Sequence, residues 1–247
     1  MRAQIVVPDY KGHHNQDLKA SAERLDTSQS YKDLSTIIIC PTRGVIPAKV
    51  VQSWMGIMRP MNQKVIGPLF AIGLEVGEAY NNLIQMILDN PELSKWKYIL
   101  TIEEDNAPPA DGLLKLYEAI EGKVDGKKYD VVQGLYWTKG EGGQPMIYGN
   151  PQVMPLNFIP QQPIPNTVQP ANGLGMGFNL WRIQMFKDTK LTKPWFKTVQ
   201  EVIPGEGARA YTQDLFFFEK AGSLGYKFAC DNRVLVGHYD IENDKMW

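Results

Sequence analysis

Three consecutive acidic residues follow an apolar run, which places carboxylates at the end of a predicted strand. The run, 96–102, is rich in aromatic and β-branched residues and leads directly into Glu103, Glu104 and Asp105. Because side chains alternate along an extended backbone, we expect Glu103 and Asp105 to point to one side and Glu104 to the other. Two carboxylates that converge in this way can bind one hard divalent cation. The alternative interpretation is an acidic turn ended by the prolines at 108–109.

Two further residues that can do acid–base or metal chemistry lie towards the C-terminus. Asp214 falls in the first turn of a helix predicted at 212–222, where the helix dipole favours an acid even without a function. His238 follows the last predicted strand, and taken alone it is more typical of a surface or capping residue than of a metal ligand.

His13 and His14 are adjacent in a polar loop, where histidines are usually solvated. Position alone therefore assigns none of these residues a role.

A turn that can contact a nucleotide follows the first predicted strand, at 35–44. Thr42, Arg43 and Gly44 offer a hydroxyl, a guanidinium and free backbone N–H groups, all of which suit phosphate oxygens. The alternative interpretation is an ordinary loop between a strand and a helix.

The elements that must position these residues alternate between strands and helices. Continuous apolar runs bounded by turn residues predict strands at 35–44, 65–74, 96–106, 129–137 and 226–230. Apolar residues at helical spacing predict helices at 50–59, 76–88, 111–120 and 212–222. This order predicts an α/β fold with a mostly parallel sheet and helices on both faces. Ligands of such sheets bind at the carboxyl ends of the strands, where the acids are expected.

The middle of the chain lacks a regular pattern. Prolines and glycines interrupt 138–171 too often for regular helices, and a loop region of this length is typically a lid or a binding wall. Tyr136 and Trp137, just before it, are interpreted either as binding platforms or as core aromatics. Three glycines alternate at 173–177, a pattern that lets the backbone approach a ligand or a neighbouring strand. They do not form the dinucleotide-binding fingerprint, because Phe178 stands where its third glycine would be.

The length allows one sizeable α/β domain or two small ones, and we expect a folded, soluble domain. With 43% apolar residues, the 247-residue chain can bury a sizeable core, and a net charge of −1 gives no general reason to bind nucleic acid. Cys40 and Cys230 lie in apolar runs and are expected to be buried free thiols, which is typical of a reducing, cytoplasmic setting. No stretch approaches the ~20 apolar residues of a membrane span. Residues 1–34 are predicted to be an extension packed on a single domain at 35–247.

Taken in order, five segments resemble the GT-A-fold glycosyltransferases of the family 2 type. The segments are 37–44, Ile102-Glu103-Glu104-Asp105-Asn106, 173–178, Thr212-Gln213-Asp214 and Val236-Gly237-His238. The resemblance covers roughly 36–239 and implies the GT-A fold, with a Rossmann-like, mostly parallel sheet. It also implies that about 35–137 binds a nucleotide sugar and that about 138–247 binds the acceptor.

The resemblance implies residue roles as well. Asp214 corresponds to the catalytic aspartate, and Asp105, His238 and Glu103 correspond to ligands of Mn²⁺ or Mg²⁺. The residues implied for the nucleotide-sugar donor, expected to be a UDP-sugar, are Pro41, Thr42, Arg43, Asn81, Glu104, Gly173 and Gly175. Those implied for the acceptor are Tyr136, Trp137 and Gln213. The acceptor itself is left open between a glycan, a protein and a modified nucleobase.

Three positions depart from the family pattern. Glu103 replaces the first aspartate of the metal motif, which makes Asp105 the safer ligand. Gln213 replaces a glutamate on the acceptor side. Tyr80 stands where many relatives have an arginine that contacts the diphosphate, and Arg43 is a candidate substitute.

The resulting prediction is a metal-dependent hexosyltransferase-like enzyme that inverts the anomeric centre. A sugar nucleotidyltransferase and a non-catalytic sugar-binding module are the alternatives. A glycoside hydrolase ranks below them, because it has no use for a metal-favouring acidic triplet.

Overall fold

The structure, a computed structural model, describes residues 33–61, 63–203 and 207–247. His13, His14 and all but the last two residues of the predicted extension at 1–34 therefore lie outside the described residues. The described helices are α1 (Ala48–Met55), α2 (Val76–Asp89), α3 (Gly112–Ile120) and α4 (Gln213–Ser223), with short 3₁₀ helices at Leu93–Lys95 and Ile183–Lys187. The described strands are β1 (Thr36–Thr42), β2 (Val65–Ile72), β3 (Tyr98–Ile102), β4 (Asn106–Ala107), β5 (Val131–Leu135), β6 (Ile147–Tyr148), β7 (Val168–Ala171), β8 (Gly173–Leu174), β9 (Phe178–Arg182), β10 (Val199–Ile203), β11 (Gly207–Tyr211), β12 (Phe228–Leu235), β13 (Gly237–Asp240) and β14 (Lys245–Met246).

A seven-stranded, mostly parallel sheet forms the centre of the fold, in the order β2-β1-β3-β9-β5-β12-β7. Strands β2, β1, β3, β5 and β12 run in one direction, whereas β9 and β7 run antiparallel to their neighbours. The carboxyl ends of β1 and β3 are adjacent, because these two strands pair in parallel from Thr36 opposite Tyr98. The acids that follow β3 thus lie beside the turn that follows β1.

Both faces of the sheet are covered, and alternation along β1 shows how. Ile37 and Ile39 belong to one hydrophobic cluster, which contains the apolar faces of α2 and α4. Ile38 and Cys40 belong to a second cluster on the opposite face, which contains α3 and the side chain of Trp54 from α1. A strand buried on both faces must be continuously apolar, as this one is. The predicted α/β fold with helices on both faces is confirmed.

Several element boundaries differ from the sequence-based prediction. Strand β3 ends at Ile102, so the acids lie beyond it, and helix α1 ends at Met55 instead of near 59. The segment at 178–182 is an antiparallel strand inserted between β3 and β5, and the hairpin of β10 and β11 was not predicted. The last predicted strand, at 226–230, is longer than expected: β12 continues to Leu235.

Cys40 and Cys230 are buried and unpaired, as the sequence indicated. Burial is the largest cause that raises the pKa of each thiol, and the thiols therefore stay protonated. Within the described residues, no helix is both long and apolar enough to cross a membrane.

Candidate functional site

The three acids form a turn, and the predicted strand alternation is wrong for them. The chain leaves β3 after Ile102, and the N–H of Asn106 donates to the carbonyl of Glu103 at 3.0 Å, which closes the turn. The turn is anchored to α1, because Trp54 Nε1 donates to the Asn106 carbonyl at 2.8 Å. All three carboxylates nevertheless border one cavity of about 380 Å³ at the carboxyl ends of β1 and β3. The cavity is lined by Pro41, Thr42, Arg43, Leu74, Val76, Glu103, Glu104, Asp105 and Lys139.

Glu104 is bound tightly to the turn after β1. Its Oε2 accepts hydrogen bonds from Thr42 Oγ1 at 2.6 Å and from the Arg43 N–H at 2.8 Å, and its Oε1 lies 2.5 Å from Arg43 Nε. Burial by itself raises the pKa of Glu104, but the hydrogen bonds from Thr42 and Arg43 outweigh it and lower the pKa. Glu104 is therefore ionised and fixes the two donor-site candidates Thr42 and Arg43 at the rim of the cavity.

Asp105 lies between the ammonium group of Lys139 and the imidazole ring of His238. Its Oδ2 is 2.6 Å from Lys139 Nζ and 3.5 Å from His238 Nε2. Burial raises the pKa of Asp105, but hydrogen bonds from His238 and Lys139 outweigh this effect and lower the pKa to about 2. Asp105 is therefore a permanent anion at neutral pH.

His238 reaches Asp105 because β13 pairs antiparallel with β4, in the register that sets His238 opposite Asn106. The backbone N–H of Tyr239 donates to the carbonyl of Asp105 at 2.7 Å, which ties the two segments together. His238 Nδ1 lies 2.7 Å from the carbonyl oxygen of Trp137. A carbonyl can only accept, so Nδ1 carries a proton and donates a hydrogen bond to Trp137. Nε2 is then the ring nitrogen that faces Asp105: it donates to the carboxylate when the ring is protonated and offers a lone pair when the ring is neutral.

The pair of Asp105 and His238 fits a divalent cation. An imidazole lone pair and a carboxylate oxygen that face each other 3.5 Å apart can both reach one ion, and the Trp137 carbonyl behind the ring fixes the ligating tautomer. These two side chains do not complete a coordination shell. Among the described residues there is no group of three histidine, cysteine, aspartate or glutamate side chains placed to hold a metal. For a cation bound by this pair, the remaining ligands would have to come from water or from a bound substrate.

Glu103 is half-buried at the cavity, and its carboxylate reaches α2. Tyr80 donates its hydroxyl proton to Glu103 Oε1 at 3.1 Å. Burial is the main cause that raises the pKa of Glu103 to about 8, and the nearby charges of Asp105 and Asp214 add to it. In the metal-free protein Glu103 is therefore mostly protonated at neutral pH, which makes it a weaker candidate ligand than Asp105.

Asp214 is the buried acid of the first turn of α4. Its Oδ1 accepts hydrogen bonds from the Thr212 hydroxyl and from the N–H of Leu215, the latter at 2.9 Å. Burial raises the pKa of Asp214 in spite of these hydrogen bonds. Its charge raises the pKa of Glu103 in turn, so Asp214 is electrostatically coupled to the acidic turn although the two are far apart in sequence.

The aromatic candidates for the acceptor site have other positions. Tyr136 is 2% exposed, and its hydroxyl accepts a hydrogen bond from the Gly177 N–H at 3.0 Å. Its ring packs against the edge of the His238 ring at 5.4 Å. Tyr136 is thus a core residue behind His238, and its interpretation as a platform is wrong. Trp137 contributes its carbonyl to His238, and its half-buried side chain packs on the core. Gln213 is half-buried at the start of α4, near Gly77.

Three donor-site candidates are occupied by contacts within the protein. Asn81 donates to the Phe196 carbonyl at 2.7 Å and accepts from the N–H groups of Trp195 and Phe196. Gly173 and Gly175 are buried. A Cβ on Gly175 would lie 2.1 Å from Tyr136 Oη, and one on Gly173 would lie 2.9 Å from the Phe158 ring. The glycines therefore allow close packing of aromatic side chains, and none of the three residues lines the acidic cavity.

Sequence reasoning missed the charged cavity residue Lys139 as well as the apolar cavity residues Leu74 and Val76. Lys139 lies in the loop Thr138-Lys139-Gly140-Glu141-Gly142-Gly143, where a single lysine among glycines carries no recognisable signal. Only the fold places this loop over Asp105.

The fold is of the GT-A type, and two solved structures align with most of this chain. The crystal structure of A197 from STIV aligns with a TM-score of 0.57 at 16% identity, over 86% of this chain and 93% of that one. The crystal structure of GalNAc-T7 with UDP, GalNAc and Mn²⁺ aligns with a TM-score of 0.53 at 11% identity. That alignment covers 84% of this chain but 44% of GalNAc-T7, so this chain spans less than half of that protein.

A third similar structure is S. aureus TarS 1–349, with a TM-score of 0.43 at 14% identity, over 80% of this chain and 58% of that one. Neither a protein-family model nor a curated protein matches the sequence.

Proposed function

We propose that this protein transfers a sugar from a nucleoside-diphosphate sugar, in particular a UDP-sugar, to an acceptor hydroxyl, with the help of Mn²⁺ or Mg²⁺. The observation that carries the proposal is the pair of Asp105 and His238, 3.5 Å apart at the carboxyl edge of a GT-A sheet. The proposal is also supported by the fold, which this chain shares with GalNAc-T7, a protein crystallised with UDP, GalNAc and Mn²⁺.

The donor half of the site would use the turn after β1. Arg43 is held by Glu104, but its side chain is 82% exposed, so its outer nitrogens remain accessible to a phosphate oxygen. Asp105 and His238 would hold the cation through one carboxylate oxygen and Nε2 of the imidazole. When bound, the cation neutralises the charge that develops on the leaving diphosphate.

In the proposed chemical step, Asp214 is the general base that accepts the proton of the acceptor hydroxyl. The acceptor oxygen attacks the anomeric carbon, the bond from that carbon to the diphosphate oxygen breaks, and the diphosphate leaves with the electron pair. The hydroxyl proton passes to the Asp214 carboxylate, whose raised pKa makes it a better base than an exposed aspartate. Attack from the face opposite the leaving group inverts the anomeric centre.

The metal requirement is tested by calorimetry with UDP. We expect UDP to bind at least about tenfold more tightly with Mn²⁺ than with EDTA, because its phosphate oxygens complete the coordination shell. Asp105→Asn keeps the shape of the side chain but removes the anion, so this variant should lose the Mn²⁺-dependent gain.

Asp188→Asn is the matched control. Asp188 hydrogen-bonds to Tyr226 outside the cavity, and its replacement should leave the gain intact. Equal UDP affinity in Mn²⁺ and EDTA for the unmodified protein would refute the metal site. Release of UDP from a panel of UDP-sugars then identifies the donor, and no release from any nucleotide sugar would contradict the transferase assignment.

A further inference from the structure

The ammonium group of Lys139 occupies the same carboxylate oxygen that faces His238. Its Nζ lies 2.6 Å from Asp105 Oδ2, and His238 Nε2 lies 3.5 Å from that oxygen. A divalent ion bound to both Asp105 and His238 would therefore lie close to a like-charged ammonium group. Two cations a few ångströms apart on one carboxylate oxygen repel each other, so Lys139 and the ion compete for Asp105.

The two basic residues of the cavity differ in how firmly they are held. Arg43 contacts Glu104 through its backbone N–H and its guanidinium, so it is tied to the turn. Lys139 makes one hydrogen bond, to Asp105, from a flexible four-carbon side chain that is 31% exposed. Of the two basic residues that line the cavity in the described part of the chain, Lys139 therefore loses fewer contacts than Arg43 when it changes partner.

The loop that carries Lys139 is closed at its base and open at its tip. The N–H of Thr138 donates to the Gln144 carbonyl, and the Gln144 N–H donates to the Thr138 hydroxyl, both at 2.9 Å. Gly140 and Gly142 have φ values of +103° and +75°, and no atom lies within 4 Å of a Cβ built on either. The base keeps Lys139 at the cavity, while open space around the tip leaves its side chain room to turn.

We propose that Lys139 is a placeholder cation: it neutralises Asp105 in the absence of a divalent ion, and it moves to the donor diphosphate when the ion and the nucleotide bind. This inference rests on the proposed function. The diphosphate supplies the anionic oxygens that the displaced ammonium group needs, and Lys139 borders the same cavity as Thr42 and Arg43. The exchange keeps every charge in the cavity paired in both states.

The test uses the whole 247-residue chain and measures the binding of Mn²⁺ and the binding of UDP separately. In Lys139→Met, electron paramagnetic resonance without nucleotide should show Mn²⁺ binding about three- to tenfold more tightly, because the competing ammonium group is gone. Calorimetry at saturating Mn²⁺ should show UDP binding about tenfold more weakly, because a charge-assisted contact is lost. Lys139→Arg retains the charge and should stay within about twofold of the unmodified protein in both measurements.

Lys97→Met is the matched control. The Lys97 side chain is 30% exposed and pairs with Glu121 at 3.1 Å, at the opposite end of β3. This variant should leave both affinities unchanged, and thermal unfolding verifies that each variant is folded. The placeholder role is overturned if Lys139→Met and the unmodified protein have the same Mn²⁺ affinity. It is also overturned if the two have the same UDP affinity. In either case the proposed function stands. If the unmodified protein binds neither Mn²⁺ nor UDP, the proposed function fails and this inference fails with it.

Discussion

Replacement of Glu103 by glutamine should change how the stability of the protein depends on pH. Glu103 has an ordinary pKa of 4.5, which the fold raises to about 8, mainly through burial. The folded protein therefore binds one more proton than the unfolded chain between these two pH values. Stability from this group is complete below pH 4.5 and is lost as the pH rises towards 8. Above about pH 8 the carboxylate is ionised in both states, and the loss of stability is complete.

The magnitude follows from the size of the shift. Each pH unit within the window lowers the free energy of unfolding by up to ~1.4 kcal/mol, so the full shift corresponds to at most ~5 kcal/mol. Part of Glu103 faces the cavity, where water screens its charge, and we therefore expect a loss of about 2–3 kcal/mol between pH 5 and pH 8. Glu103→Gln can still accept the hydrogen bond from Tyr80 but cannot ionise, so it should not show this loss.

The assay is urea unfolding of both proteins at pH 5, 6, 7 and 8, with EDTA present to exclude metal binding. The difference in free energy of unfolding, Glu103→Gln minus unmodified, should rise steadily with pH. Glu104→Gln is the control within the same turn. The pKa of Glu104 is lowered, so its stability contribution is lost only as the pH falls through its acidic pKa, and that variant should differ from the unmodified protein by a constant amount over this range. Parallel curves for Glu103→Gln and the unmodified protein would refute the assignment of a raised pKa to Glu103.

Two further predictions concern catalysis. Asp214→Asn should reduce sugar transfer by ~10²- to 10⁴-fold while UDP binding is retained, because the base is lost and the donor contacts are not. Transfer at a near-normal rate would make Asp214 only the acid that begins α4. His238→Ala should weaken Mn²⁺ binding about tenfold or more, measured by paramagnetic resonance with UDP present, and should leave the thermal unfolding temperature nearly unchanged. Unchanged Mn²⁺ affinity would exclude His238 as a ligand.

Local sequence patterns determined the class of fold and the end of the sheet that carries the acids. A run such as Ile37–Cys40 is apolar at every position, and only a strand covered on both faces can bury all of its side chains. The alternation of such runs with amphipathic segments then predicts parallel strands joined by helices. Three adjacent acids cannot be buried together without partners, so Glu103, Glu104 and Asp105 had to lie at a strand end.

Tertiary structure decided the partner of each of these acids. The direction in which each carboxylate points depends on where the strand ends. Strand β3 ends at Ile102, directly before the acids, so alternation does not continue through them. Glu103 contacts Tyr80 and Glu104 contacts Arg43. His238 lies more than a hundred residues from Asp105 in the sequence, and the fold brings the two together. Lys139 reaches Asp105 from a glycine-rich loop. Spacing along the chain carries no information about such contacts, because packing and strand pairing bring these groups together.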